Sequence, residues 1–302
     1  MQKILLQFLL LAGLFFGTWL LLRTVDYRSL LHVEEVTNEA EQKLSELILD
    51  QLKKEGSECK SDSVIALVDS MKQRLCIANG IVDSSITIHI LVHDEVNAVA
   101  LPDRQLVVYT GIINYCSSPE ELAGVLAHEI THIRHGHIMN RLRREVGVSM
   151  LGALAGGDAG GDIARQTTRL LTSSAFDRQM ESAADIGAVR MMAKAGMDPV
   201  HFADLLFRLS QEKGNISKRF EWISSHPNTQ ERCAEVLRLR KKESYTVKPI
   251  LDKAQWEFLK KAVGGMREAG GQGAASNVRG SESGVRGSTS FFLPPVSRDG
   301  TV

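Results

Sequence analysis

The sequence predicts an α+β fold that is mainly helical, with a small antiparallel sheet and one N-terminal transmembrane helix before it. Three observations lead to this fold class. An uncharged apolar run lies near the start at residues 4–22, alternating β-branched residues follow at 85–110, and apolar residues at helical spacing fill most of the chain as far as residue 242. A chain of 302 residues also has ample material for a buried core.

The apolar run reads ILLQFLLLAGLFFGTWLLL and is long enough to cross a bilayer core as a helix, at about 1.5 Å per residue. Trp19 and Arg23 stand where an interfacial anchor and a stop charge are expected. The rival interpretation is a cleaved signal peptide, but no A-x-A-like cleavage site follows the run. We therefore expect a single-pass anchor over residues 1–24, which inserts into the membrane through residues 4–22.

The membrane orientation follows from the short flank before the anchor. Lys3 and the amino terminus are easily retained in the cytoplasm, which would place the rest of the chain on the extracytoplasmic (periplasmic) side. Charge over the whole chain is balanced, at 36 basic and 36 acidic residues. This balance argues against a nucleic-acid partner, which would require a basic surplus on one face.

The periodicity of the chain places the individual elements. Apolar residues at helical spacing predict helices at 33–55, 63–78, 117–136, 164–195, 199–212 and 228–242. The alternating segments SITIHILVHD, NAVALP and RQLVVYTG predict three short strands between residues 85 and 111. In the third helix, Ser118, Pro119 and Glu121 supply an N-terminal cap.

The two ends of the folded region follow from composition. We expect the main domain to extend over residues 25–248, followed by a C-terminal extension over residues 249–302. From about residue 264 the chain is rich in Gly, Ser and Arg and has few apolar residues. Such a composition buries too little apolar surface to fold, so it predicts a disordered tail.

The motif HEITH carries the strongest chemical signal. Each helical residue advances about 100°, so His128 and His132 lie about 40° apart on one side of their helix. Leu126 and Ile130 fall on the opposite side, and Glu129 lies between the two faces. The helix therefore buries an aliphatic stripe and presents two imidazoles together.

This spacing is typical of a zinc site in which the glutamate serves as base. Zinc binds neutral imidazole nitrogens at about 2.0–2.1 Å, and Glu129 can reach a water on the ion and accept its proton. His135 lies too far along the helix to share the ion with His128. We expect His135 and His137 to flank the helix end, where positive charge complements the helix dipole.

A catalytic zinc needs a third protein ligand and an open position. Glu181 and Asp185 lie on one helical face at i, i+4, beside small residues that permit close helix packing. Glu181 would complete a His-His-Glu ligand set, and Asp185 would orient a ligand histidine. The alternative is a pair of solvated acids on a surface helix. A purely structural zinc domain would need a fourth ligand, and no cysteine is near His128 in the sequence.

Four segments together resemble the M48 family of zinc metallopeptidases, in its Ste24/HtpX/Oma1-like group. They are HEITH, the E-x-x-x-D of ESAAD, SSHPNTQER at 224–232 and NAVALPDRQLVVYTGII before the zinc helix. They occur in the family's order over residues 86–240. This combination is far more specific than any single motif.

The resemblance implies a gluzincin fold that binds one Zn²⁺ per chain. His128, His132 and Glu181 would be the metal ligands, Glu129 the catalytic base and Asp185 a partner of a ligand histidine. His226, in SSHP, would be a further catalytic residue that either stabilises the oxyanion or covers the zinc in a resting state. Its alternative role is that of a loop histidine before a capped helix.

Polypeptides are the substrates that such a fold implies. Gluzincins hold an extended peptide against an edge strand, and Asn97, Ala98 and Val99 are the expected substrate-binding residues here. We therefore expect a membrane-anchored zinc endopeptidase that hydrolyses misfolded or unstructured envelope proteins. The alternative is a chaperone or assembly factor on a metallopeptidase scaffold with little turnover, although such a scaffold would not need Glu129.

Overall fold

The computed structural model of the protein describes residues 33–145, 160–173, 175–212, 220–227 and 229–280, together with residues 7, 11–17 and 19. In this part of the chain no helix is both long and apolar enough to cross a membrane. The predicted anchor at residues 4–22 lies for the most part outside the described residues.

The described part of the chain is mainly helical and contains one small sheet. The helices are α1 (Val33–Glu55), α2 (Asp62–Ala78), α3 (Thr110–Tyr115), α4 (Pro119–Arg134), α5 (His137–Glu145), α6 (Gly160–Ser173), α7 (Arg178–Lys194), α8 (Val200–Gln211), α9 (Glu221–Ser225), α10 (Thr229–Arg240) and α11 (Lys253–Gly280). The strands are β1 (Ser57–Glu58), β2 (Thr87–Val92), β3 (Ala98–Ala100) and β4 (Gln105–Tyr109). This composition agrees with the predicted α+β class.

The sheet is mixed, so the prediction of an antiparallel sheet is wrong. Its strand order is β1-β2-β4-β3, with β4 parallel to β2 and antiparallel to β3. The reason is the path of the chain: residues 93–97 carry it across to the far edge, where β3 forms, and the hairpin turn at 101–105 then returns β4 to the middle. Alternation along a strand does not reveal this insertion, because it reports which face is buried and not which neighbour is paired.

Both faces of the sheet are buried, which explains the continuous apolar sequence of β4. Leu106 and Val108 belong to one apolar cluster, formed with α2, α4, α7 and α8. Val107 and Tyr109 point to the other face, into a second cluster formed with α1, α5 and α6. Because successive side chains of a strand point to opposite faces, a strand covered on both sides needs apolar residues throughout.

The helix predicted over residues 164–195 is two helices, α6 and α7, and this prediction is corrected. Helix α6 ends at Ser173, and α7 begins at Arg178. Asp177 starts the new helix because its Oδ1 accepts a hydrogen bond of 2.8 Å from the amide of Met180. The break matters for function because it places Phe176 beside the candidate site.

The C-terminal extension is helical over residues 264–280, the first part of the segment that the composition predicts to be disordered. α11 extends through residues 264–280, whereas residues 281–302 lie outside the described part. Leu259 and Val263 of α11 are fully buried in the main core. Lys260 also donates hydrogen bonds to main-chain carbonyl groups of residues 113–116, just before α4. The first part of the extension therefore packs against the domain that carries the candidate site.

Candidate metal centre and active site

Helix α4 carries His128, Glu129 and His132. Its start is fixed as the sequence predicts, since Ser118 Oγ accepts a hydrogen bond of 3.3 Å from the amide of Glu121 and Pro119 occupies the first turn. The helix is buried on all sides from residue 121 to residue 132. The face with the two imidazoles is therefore covered by protein, and α7, which packs along α4, provides part of that cover.

The close packing of α4 and α7 depends on a glycine. A Cβ atom at Gly187 would lie 2.3 Å from Cγ2 and 2.5 Å from Oγ1 of Thr131. Ala184, about one turn earlier in α7, and Ala188, the residue after Gly187, are also fully buried. Small residues at this crossing let the helices approach closely enough for Glu181 of α7 to reach the imidazoles of α4.

The side chains of His128, His132 and Glu181 converge on one point. The two Nε2 atoms are 3.1 Å apart. Glu181 Oε1 lies 3.4 Å from Nε2 of His132, and Glu181 Oε2 lies 3.6 Å from Nε2 of His128. Four ligands at about 2.0–2.1 Å in a tetrahedron around zinc would be about 3.3–3.4 Å from one another. The three donors therefore have the spacing and the chemistry that a tetrahedral zinc site requires.

His226 brings a fourth donor to the same point. Its Nδ1 lies 2.8 Å from Glu181 Oε1 and 3.3 Å from Nε2 of His128. The donor atoms of all four residues lie within 4.8 Å of one another. The imidazole of His226 is held by the ring of Phe176, which stacks on it at a centroid distance of 5.4 Å and an interplanar angle of 17°.

Glu129 lies beside the donor set but does not join it. Its Oε2 accepts a hydrogen bond of 3.2 Å from the amide of Ala100, and its Oε1 accepts one of 3.3 Å from Trp222 Nε1. Burial raises the pKa of Glu129 to about 7. A carboxyl group with such a pKa exchanges protons readily at neutral pH, as a general base must.

Asp185 contacts one of the two histidines that are candidate metal ligands. Its Oδ1 lies 3.1 Å from Nδ1 of His128, on the side of the ring opposite the metal-facing nitrogen. Burial alone would raise the pKa of Asp185, but Arg232 and His128 hold it below its usual value. A charged carboxylate at this position fixes the tautomer and the orientation of the imidazole.

The acids are not solvated, so the surface-helix interpretation is wrong. Only 3% of Glu181 and 1% of Asp185 is exposed. Burial would raise the pKa of Glu181, but His226 and Arg232 hold it well below its usual range. Next to these acids, a cavity of about 170 Å³ beside Pro227 reaches Glu181 and Asp185 from outside.

Arg232 is a residue of the site to which the sequence analysis assigned no role. Its Nε and Nη2 donate hydrogen bonds to Asp185, and its Nη1 lies 2.8 Å from Glu181 Oε2. The sequence gives only a weak signal for it: Arg232 lies in the same segment as His226, but the burial that makes the two acids need a cation is known only from the fold.

His137 does not act at the helix end as expected. It is buried, and its Nδ1 lies 3.0 Å from Nδ1 of His132. Burial, with His132 and His135 nearby, lowers the pKa of His137 to about 4. His137 is therefore neutral at pH 7 and cannot complement the helix dipole, but it can orient the ring of His132. The sequence hides this contact because α5 begins only after the turn at Gly136.

The edge of the sheet next to the donor set contains Asn97, Ala98 and Val99. β3 is the last strand in the sheet order, and it contacts α4. All three residues are buried, Val99 with 5% exposure and the other two with none. The Oδ1 atom of Asn97 is buried and accepts no hydrogen bond from the described residues. Such an acceptor is costly unless a ligand satisfies it.

Comparison with known proteins agrees with this geometry. The profile of peptidase family M48 matches residues 66–240. The mitochondrial metalloendopeptidase OMA1 of Schizosaccharomyces pombe is 28% identical over 171 residues, which cover 56% of this chain and 51% of that protein. The beta-barrel assembly-enhancing protease of Escherichia coli strain K12 is 25% identical over 183 residues, covering 56% of this chain and 37% of that protein.

The mitochondrial metalloendopeptidase OMA1 of Arabidopsis thaliana is a third relative, 28% identical over 137 residues that cover 45% of this chain and 28% of that protein. The chain thus spans about half of the first of these relatives and less of the other two. The family profile covers more than half of this chain and includes all the residues of the candidate metal centre. The chain therefore belongs to peptidase family M48.

Proposed function

We propose that the protein is a zinc-dependent endopeptidase. The observation that carries this proposal is the convergence of His128, His132 and Glu181 at tetrahedral spacing, with the buried carboxyl of Glu129 beside them. When bound there, zinc would lower the pKa of a coordinated water toward about 7 and polarise a peptide carbonyl. The family membership and the names of the relatives support the same activity.

The protein's own residues then position the reacting groups and move the proton. Glu129 accepts a proton from the attacking water and passes it to the leaving amine. The amide of Ala100 and the indole of Trp222 hold the carboxylate in place for this transfer. Asp185 and His137 fix the rings of His128 and His132 through their Nδ1 atoms.

The substrate would bind as an additional strand on β3. Asn97 O and Leu101 N are hydrogen-bonded to β4, at Tyr109 and Gln105. In an antiparallel pair, every second residue of a strand forms its main-chain hydrogen bonds with the partner strand. The main-chain groups of Ala98, the residue after Asn97, therefore point toward the free edge of β3. An extended polypeptide would pair with this edge, and one of its amide groups would satisfy Asn97 Oδ1. Because main-chain pairing reads little sequence, this mode suits unstructured polypeptides.

The described conformation corresponds to a resting state in this proposal. His128, Glu129, His132, Glu181 and His226 are each 3% exposed or less, which leaves no room for a peptide. His226 would occupy the fourth ligand position and withdraw, together with the stacked Phe176, when a substrate enters. If His226 only covers the metal, His226→Ala will cleave substrate faster than the wild type. If His226 stabilises the oxyanion, the same substitution will slow cleavage.

We further propose that the enzyme is anchored to a membrane through residues 4–22, with its catalytic domain on the extracytoplasmic (periplasmic) side. The uncharged apolar run supports the anchor. Its substrates would be misfolded or unstructured proteins of the cell envelope, a role supported by the E. coli relative's name as a beta-barrel assembly-enhancing protease. Alkali extraction of membranes tests the anchor, since a peripheral protein would be released and a spanning one retained.

The experiment that tests the activity is cleavage of unfolded casein by the purified, zinc-loaded full chain in mild detergent. The matched variant is Glu129→Gln, which keeps the size of the side chain and removes the base. We expect cleavage by the wild type and a loss of about 10²-fold or more in Glu129→Gln. Equal cleavage by both would remove Glu129 as the base. If the wild type, Glu129→Gln and His226→Ala all bind zinc but none of them cleaves casein, the chaperone alternative is favoured.

A further inference from the structure

A polar groove of about 720 Å³ lies beside the site, where β3 ends and the hairpin turn to β4 begins. Its walls come from the N-terminal part of α1, from the hairpin turn and from the junction between α4 and α5. Leu101 lines the groove and directly follows Ala100, whose amide contacts Glu129. The groove therefore begins at the residue that follows Ala100, which donates a hydrogen bond to the proposed base Glu129.

The turn that forms one wall contains an unfavourable backbone conformation. Asp103 and Arg104 both lie in the left-handed region, with φ of 52° and 54°. Hairpin turns of this kind favour Asn or Asp followed by Gly, because Gly has no Cβ to collide with the backbone. Asp103 fits this preference, but Arg104 stands where glycine is favoured. The strain at Arg104 points to a role for its side chain, since glycine would hold the same turn at lower cost.

Arg104 is the groove arginine that forms no ion pair within the described part of the chain, in a groove that Glu39, Glu41 and Asp103 also line. The other arginine of the groove, Arg143, has a carboxylate oxygen of Glu41 3.5 Å from its Nη2. Within the described part of the chain, Arg104 has no carboxylate within ion-pair distance, and its side chain is exposed. It lines this groove and also an adjoining cavity of about 340 Å³. A guanidinium held in this way is available to a ligand.

We propose that this groove binds the substrate residues on the N-terminal side of the cleaved bond, and that Arg104 selects an acidic side chain there. The proposal rests on the proposed peptidase function and adds a sequence preference to it. Antiparallel pairing is the more stable arrangement, so a peptide on β3 runs opposite to the strand. Its N-terminal part then passes Leu101 and enters the groove. A carboxylate in that part forms the ion pair that Arg104 lacks.

Peptides with a C-terminal hydroxamate test the proposal, because a hydroxamate binds zinc and directs the attached residues to the N-terminal side of the cleaved bond. The series carries Glu, Ala or Lys at the positions before the hydroxamate, and binding to the zinc-loaded full chain is measured by fluorescence anisotropy. We expect Glu-containing peptides to bind about two- to fivefold more tightly than Ala-containing ones, the range of a partly exposed ion pair.

Three substitutions at Arg104 separate the side chain from the backbone. Arg104→Gly relieves the left-handed strain, so we expect an equal or higher melting temperature together with loss of the preference for Glu. Arg104→Lys retains the charge and part of the preference. Arg104→Asp tolerates the backbone conformation and inverts the preference toward Lys. The matched control series has the hydroxamate at the N-terminal end of the peptide, and none of the variants will change its binding.

An unchanged Glu-to-Ala ratio in Arg104→Gly would overturn the proposal, as would a wild type with no preference for Glu. A change confined to the control series would show that the peptide runs in the opposite direction, which also overturns it. Failure of the peptidase function would give a different result: the hydroxamates would bind, but no casein cleavage that depends on Glu129 would be seen. The two measurements therefore fail independently.

Discussion

The guanidinium of Arg232 binds the carboxylate of Asp185 through two parallel hydrogen bonds, from Nε to Oδ2 and from Nη2 to Oδ1, each 2.8 Å long. Its third nitrogen, Nη1, lies 2.8 Å from Oε2 of Glu181. Arg232 is 6% exposed and both acids are less exposed still. Helix α10 thus supplies the cation that allows two carboxylates of α7 to stay charged beside the histidines.

Replacing Arg232 with Ala is expected to destabilise the fold by about 3–5 kcal/mol, because it leaves buried acids without a countercharge. Arg232→Lys keeps the charge but loses the two-pronged contact, so its cost will be smaller. Urea unfolding measures both. Arg238→Ala, an arginine on the exposed face of the same helix, is the matched control and will not change the midpoint. Equal midpoints for Arg232→Ala and the control would contradict this role.

Asp185→Asn is expected to weaken zinc binding by about 10- to 100-fold, because the amide no longer fixes the tautomer of His128. Competition with a fluorescent zinc chelator measures the affinity. Asp204→Asn, an exposed aspartate on α8, is the control and will bind zinc like the wild type. An unchanged zinc affinity in a folded Asp185→Asn protein would show that the contact with His128 Nδ1 does not support the metal.

Gly187→Ala tests the close approach of α4 and α7. The added Cβ would lie 2.3 Å from the Thr131 side chain, so one helix must shift, at a cost of about 1–3 kcal/mol. Gly264→Ala in α11 is the control, because nothing lies within 4 Å of its Cβ and alanine favours the helix. We expect a lower melting temperature for the first and an equal or higher one for the second. Equal effects would contradict the packing argument.

The pairing of Asp198 with Arg240 gives the fold a pH-dependent component. This pairing, with a hydrogen bond of 2.9 Å from the amide of Val200, lowers the pKa of Asp198. A depressed pKa stabilises the fold fully above the unfolded-state value of about 3.9, and the benefit is lost as the pH falls toward the folded-state value. Asp198→Asn will therefore be less stable than the wild type at neutral pH.

Urea unfolding of the wild type and of Asp198→Asn, measured from neutral to acidic pH, gives the difference in their stability. We expect the gap between the wild type and Asp198→Asn to narrow as the pH falls below about 4, where the wild-type carboxylate begins to lose its advantage. Asp204→Asn again serves as the exposed control. A gap that stays constant or widens in acid would contradict the sign of the shift.

Local sequence patterns could predict much of the fold and of the site. The cap at Ser118 and the i, i+4 pairs of α4 and α7 depend on residues within one or two helical turns, so His128, His132 and Glu181 could be predicted as candidate ligands before the structure. The burial of Leu44 and Ile48 of α1 likewise follows from helical spacing.

Features that depend on distant parts of the chain could not be predicted in the same way. The parallel pairing of β2 with β4 is set by the path of the loop between β2 and β3, which alternation does not encode. The contact of His137 with His132 requires the chain to turn at Gly136, whose φ is 63°. The role of Arg232 depends on the packing of α10 against α7, far apart in sequence.

The central claim is that Glu181 is a metal ligand and Glu129 is not. Zinc content per chain, measured by mass spectrometry on purified wild type, Glu181→Gln and Glu129→Gln, tests it most directly. We predict about one zinc per chain in the wild type and in Glu129→Gln, and a large loss in Glu181→Gln, since a neutral amide is a poor zinc ligand. A full zinc complement in Glu181→Gln would contradict the ligand set.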